Sequence, residues 1–160
     1  MQTLKNIDHS AIKTSQIALI VLNILAFLFN SSLWVAATAV IMFIGAILGT
    51  PAFGFVYRWV LKPLGWVKPN ILLDHSEPHR FAQILGGLFL AGGALALFGN
   101  YTVLGWGLVW IVTFLAALNL FAGLCVGCMI YYWLAQLQVP GFSKTPPHGV
   151  APGARPKSGG

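Results

Sequence analysis

Cys125 and Cys128 are the only two cysteines in the 160-residue chain, set as Leu124-Cys125-Val126-Gly127-Cys128-Met129. A dithiol at this spacing can cycle between two thiols and a disulfide, or carry a sulfane sulfur. Residues three apart on a helix share a face, so the two sulfurs can approach each other. Their reactivity depends on the backbone. If the apolar run that contains them is one unbroken helix, the pair lies near its negative end, which disfavours a thiolate. If the helix breaks at Gly123 or Gly127, the pair opens a new helix, whose positive end lowers a thiol pKa. In a third reading both cysteines are small buried hydrophobes. The residue types leave all three open.

Other side chains are candidates around the pair. Arg80, His75 and His79 can stabilise a thiolate by charge. Cys-x2-Cys with His75-x3-His79 is also a zinc-type ligand set, although Pro78 interrupts the histidine pair. Haem between helices is excluded, because no histidine lies inside an apolar run. Neither a nucleophile–base triad nor a phosphate loop is present, and three acidic residues leave little acid–base chemistry. No cofactor is called for. Ion-coupled transport finds little support, since the apolar runs hold only Asn23, Thr38, Thr113, Asn119 and the near-rim Gln16 and Gln83. Asn23 and Asn119 read better as hydrogen-bonding glue between helices, and Gly86-Gly87 and Gly92-Gly93 as flat surfaces for close helix contact.

The elements that must position these groups are set by composition. Only 8% of residues are charged and 58% are hydrophobic, against about 25% charged in soluble domains. The chain therefore reads as an all-α integral membrane domain over 1–139: a four-helix bundle with spans at 12–29, 33–49, 81–98 and 103–124. Short interfacial helices are predicted at 52–61 and 129–138. The segment 140–160, rich in Pro and Gly and basic, is expected to be a disordered tail. The net charge of +6 does not indicate nucleic acid, because the basic residues flank apolar runs. All nine fall before or at the start of the first run, between the second and third, or after the fourth, which makes that side cytosolic and puts both termini there. The expected location is a bacterial inner or thylakoid membrane, with multiple passes. A signal-peptide reading of the first run is opposed by Asp8 and by the lack of a small-x-small cleavage site.

The chain also carries an internal repeat. Ile7-Asp8-His9-Ser10 opens the first hairpin and Leu73-Asp74-His75-Ser76 the second. A basic residue follows each, Lys13 or Arg80, then a glutamine, Gln16 or Gln83, and each hairpin turns at an asparagine, Asn30 or Asn100. Both units start on the same side, so the repeat is parallel, about an axis along the membrane normal. Phe43-Ile44-Gly45-Ala46-Ile47-Leu48-Gly49-Thr50 resembles Phe121-Ala122-Gly123-Leu124-Cys125-Val126-Gly127-Cys128, which sets Cys128-Met129 against the Thr50-Pro51 break. Helix capping explains the Asp and Ser of the repeat and explains its histidines less well. In the functional alternative, His9, His75 and His79 gather near the dithiol.

With Arg80-Phe81-Ala82-Gln83 before the third run and Gly123-Leu124-Cys125-Val126-Gly127-Cys128 ending the fourth, the chain resembles the domain-of-unknown-function family 4395, small bacterial membrane proteins. The resemblance covers roughly residues 6 to 137 and excludes the tail. It implies partners of thioredoxin-like or sulfurtransferase type, and hence thiol or sulfur handling at Cys125 and Cys128. It assigns no role to the histidines. Two functions fit the sequence. One is a cytosol-facing dithiol in thiol redox or sulfur transfer. The other is a non-enzymatic structural or assembly subunit of a larger membrane complex, with an inert cysteine pair.

Overall fold

The computed structural model describes residues 5–65, 71–142 and 151–154. Lys68, Lys144, Arg155 and Lys157, four of the basic residues that orient the chain, lie outside them. Among the described residues three helices are long and apolar enough to cross a membrane: α1 His9–Leu28, α4 Ser76–Phe98 and α5 Thr102–Ala122. The helix α2 Ser32–Leu48 is apolar but shorter. Two short elements follow the hairpins: α3 Gly54–Val56, which runs into a π-helical turn at Tyr57–Leu61, and α6 Val126–Gln136. Large apolar side chains such as Leu28, Ile47, Leu95, Val103 and Phe114 are exposed along α1, α2, α4 and α5. That surface suits lipid rather than water.

Local chemistry starts and stops these helices. Asp8 caps α1 by accepting the Ser10 N–H at 3.0 Å, as its type predicts. At α4 the N-cap is His75, with no side-chain cap bond, and Glu77 in the first turn suits the helix dipole. Both hairpins turn at their asparagines, which are left-handed, with φ 46° at Asn30 and 62° at Asn100. Each turn is closed by the paired backbone bonds of a Schellman motif: Ser31 N–H to Ala26 C=O and Asn30 N–H to Phe27 C=O, then Tyr101 to Ala96 and Asn100 to Leu97.

Packing crosses between the hairpins. The helix α1 lies on α5 and α2 on α4, with α4 also against α5. Val35, Ala39, Leu90, Ala94 and Val109 fill the centre. Close approach depends on glycines of α4 and α5. A Cβ on Gly93 would meet the Gly105 carbonyl at 3.1 Å, and one on Gly105 would meet the Gly93 carbonyl at 2.9 Å. Asn23 donates to Thr113 Oγ1 at 3.0 Å, joining α1 to α5 within the core.

The sequence predicts helices alone, whereas the segments before α1 and α4 form a two-stranded antiparallel ladder, β1 Lys5–Asp8 with β2 Ile71–Asp74. Its register pairs Lys5 with Asp74, Asn6 with Leu73, Ile7 with Leu72 and Asp8 with Ile71. Exchanging each residue for its counterpart beside the other Asp-His-Ser returns the same four pairs. The ladder thus has a local two-fold symmetry, and it draws the starts of α1 and α4 together.

A candidate dithiol site

The helix α5 ends at Ala122 because Gly123 takes a left-handed conformation, φ 68°, which costs a residue with a Cβ about 1–2 kcal/mol. The chain then restarts as α6, with Cys125 as its N-cap in an extended conformation. Cys125 Sγ accepts the Cys128 N–H at 3.2 Å, as an N-capping serine oxygen would. The Cα atoms are 5.1 Å apart and the two sulfurs are joined as a disulfide. Of the backbones left open by the sequence, the broken one is present, and the break falls at Gly123.

This break shifts the internal comparison by one turn. The helix α2 ends at Gly49, also left-handed at φ 67°, so Gly49 matches Gly123 in role. The motif comparison sets Gly49 against Gly127 instead. With the helix ends aligned, Cys125 stands where the first unit has Pro51, and Cys128 where it has Gly54. The same alignment matches Tyr57 with Tyr131. Each of these tyrosines meets an acid at the start of the first helix of its unit. Tyr131 donates to Glu77 Oε2 at 3.0 Å. Burial, with the Asp8 carboxylate beside it, raises the Tyr57 phenol to about 12.

Gly127 has a different task. A Cβ there would fall 2.5 Å from Ala82 Cβ and 2.7 Å from Ala82 Cα. Only glycine lets α6 lie this close to α4, and that contact brings Cys128 to the α4 side chains. His79 Nδ1 lies 3.6 Å from Cys128 Sγ. His79 also packs edge-on against His9, with ring centroids 5.9 Å apart. His9 is buried at the start of α1, so both units contribute to the site. Around these groups is a cavity of about 20 Å³, room for one water-sized group. Asn119, Tyr132, Gly153 and Ala154 complete its wall.

The sequence-predicted residues divide accordingly. His79, Cys125 and Cys128 come together, with ligand atoms all within 4.8 Å of one another. Reduced, they would offer a soft cation such as zinc three ligands and an open position. His75, expected in the same set, is buried at the N-cap of α4 and stands outside that trio. Arg80 turns toward α2, its Nε–H donating to the Ala46 carbonyl at 2.9 Å. His9 enters as a partner of His79, which sequence spacing alone does not single out among the three histidines. The repeat is its one signal.

The tail contributes unexpectedly. Part of the segment expected to lack structure returns to the site: the Cys125 N–H donates to Gly153 C=O at 2.8 Å, and Leu124 bridges to Ala154. The break after Gly123 leaves backbone groups that α5 no longer uses, and these residues satisfy them. Together with α4 they leave Cys125 8% exposed and Cys128 3%. A family model described as a domain of unknown function, DUF4395, matches residues 7–136. No curated protein and no solved structure matches the chain.

Proposed function

The chain belongs to the DUF4395 family, and from that premise we propose that it is a multi-pass membrane protein whose Cys125–Cys128 pair handles electrons or sulfur at the charged rim of the membrane. The observation that carries this reading is the placement of Cys125 as the N-cap of α6 with Cys128 facing His79. The helix N-terminus favours a thiolate on Cys125. His79 is positioned to take the proton of Cys128 as the second thiol reacts. In exchange, the Cys125 thiolate attacks a partner's disulfide and displaces one of its thiols, and Cys128 then attacks Cys125 Sγ and releases the other; with a sulfane sulfur, the partner's thiol leaves in the first step and hydrosulfide in the second. Thioredoxin-like and sulfurtransferase proteins are the partner classes proposed.

The architecture proposed with it is a four-helix domain of two hairpins in parallel repeat. The two-fold register of the ladder, the crossed packing of α1 on α5 and α2 on α4, and the matched Tyr57 and Tyr131 support that repeat. The short elements after each hairpin lie at the interface, on the side of Lys13, Arg58, Lys62 and Arg80, read as cytosolic by the positive-inside rule.

Thiol labelling in inside-out vesicles, against pH, tests the reading. Cys125 is expected to react with a membrane-impermeant alkylating agent, after reduction, well below the free-thiol pKa of about 8.5. Labelling only above that value would favour the rival, a structural subunit with an inert pair. Labelling from the opposite face would reverse the orientation.

A further inference from the structure

A second, larger cavity of about 450 Å³ lies between the hairpins and runs up to the dithiol. It is walled by α1, α2, α4, α5 and α6, from Leu19, Phe89 and Val112 at one end to Cys125 and His79 at the other. Its size falls within the range of small-molecule sites. Cys125 borders it, whereas Cys128 borders only the water-sized chamber behind. From outside, Gly153 and Ala154 lie against Cys125. An apolar space inside the helical domain therefore reaches this sulfur.

The few polar groups on the wall narrow the occupant. Among the described residues no carboxylate lines the cavity, so a cationic ligand meets no opposite charge there. Gln16 Oε1 is buried there and accepts no hydrogen bond among the described residues. It asks for a donor. Arg80, also on the wall, commits its Nε–H to Ala46, while its terminal nitrogens carry further donors. An apolar molecule that accepts hydrogen bonds in one state and donates them in another, and takes two electrons from a dithiol, is a quinone.

Building on the dithiol reading, we propose that this cavity binds a lipid-soluble quinone, which oxidises the reduced pair. Cys125 Sγ adds to a ring carbon, forming a C–S bond. Cys128, its proton taken by His79, attacks Cys125 Sγ. The S–S bond forms as the C–S bond breaks, and that electron pair stays with the ring. The two thiol protons end on the two quinone oxygens. One quinone becomes one hydroquinone, and one dithiol one disulfide. Arg80 faces the charge that develops on oxygen, and Gln16 accepts the O–H of the product.

The test uses the full chain, reduced, in nanodiscs of quinone-free lipid. Decylubiquinone is the membrane oxidant and a small hydrophilic disulfide the aqueous one. Hydroquinone formation is followed optically and thiol loss by alkylation and mass spectrometry. The expected result is one hydroquinone per disulfide formed, and none with Cys125→Ser. Ala116→Phe, which fills the cavity from α5, and Gln16→Leu are each expected to slow the quinone reaction more than tenfold relative to the aqueous oxidant. Oxidation by the aqueous disulfide but not by quinone overturns the quinone site and leaves the dithiol reading standing. Rates unmoved by both variants overturn the cavity as the route. If neither oxidant acts on the pair, the dithiol reading itself falls.

Discussion

Cys125 Sγ receives an N–H from the first turn of α6, whereas Cys128 Sγ faces a histidine nitrogen. The two sulfurs are therefore stabilised by different means, and the means suggest their order: Cys125 attacks first, Cys128 resolves. Replacing His79 by Ala is expected to slow closure of the disulfide about 100-fold near neutral pH, the usual scale of a positioned base. Above about pH 8.5 the thiol ionises unaided, so the variant should recover. Stopped-flow thiol oxidation across pH checks this, and an equal loss at all pH values would contradict it. Tyr57 gives a second pH-dependent expectation. Its phenol, raised from 10.0 to about 12, holds its proton more tightly folded than unfolded. Its contribution to stability is complete below pH 10 and is lost as pH rises through 12. In a phenolate absorbance titration, read as a difference from Tyr57→Phe, Asp8→Asn should bring Tyr57 down toward the ordinary value.

The site exists because one helix stops. Gly123 ends α5 in a conformation that side chains resist, so Gly123→Ala should destabilise the protein by about 1 kcal/mol. In an unbroken helix the same change would stabilise it by about the same amount. Thermal unfolding in detergent therefore reads the backbone from the sign of one measurement. Gly127→Ala acts on packing instead. Its Cβ cannot fit over Ala82, so α6 must move away from α4. The expected outcome is loss of the Cys128–His79 contact, seen as a Cys128 alkylation rate that no longer depends on His79. The length and type of α1, α4 and α5 were legible from apolar runs, and both hairpin turns from Asn30 and Asn100. The exact break was less so, because Gly123 and Gly127 look alike in sequence. One supplies a left-handed turn and the other a bare surface, and only the neighbour across the gap distinguishes them.

Across the whole molecule, the surroundings of the dithiol come from more than one hairpin. His79 and Cys128 come from the second, His9 from the first, and the backbone of Gly153 from the segment beyond. The first unit has Pro51 and Gly54 where the second has Cys125 and Cys128, so it holds no second dithiol. Removal of residues 143–160 should raise the alkylation rate of Cys125 severalfold by uncovering it while leaving the fold intact, measured with an impermeant maleimide. No change in rate would mean that Gly153 does not shield the sulfur.

Membrane character, helix count to within one short span, turn positions and the identity of the one cysteine pair were determined by composition, apolar run length and local conformational preference. Each of these is set within a few residues of chain. The choice of His79 over His75, the turning of Arg80 toward Ala46, the return of Gly153 to Cys125 and the cavity reaching that sulfur were decided only by tertiary structure. Those contacts join residues far apart in sequence. The Cys128–His79 contact depends on how closely Gly127 lets α6 approach Ala82 of α4, a property of two surfaces together that neither segment carries alone.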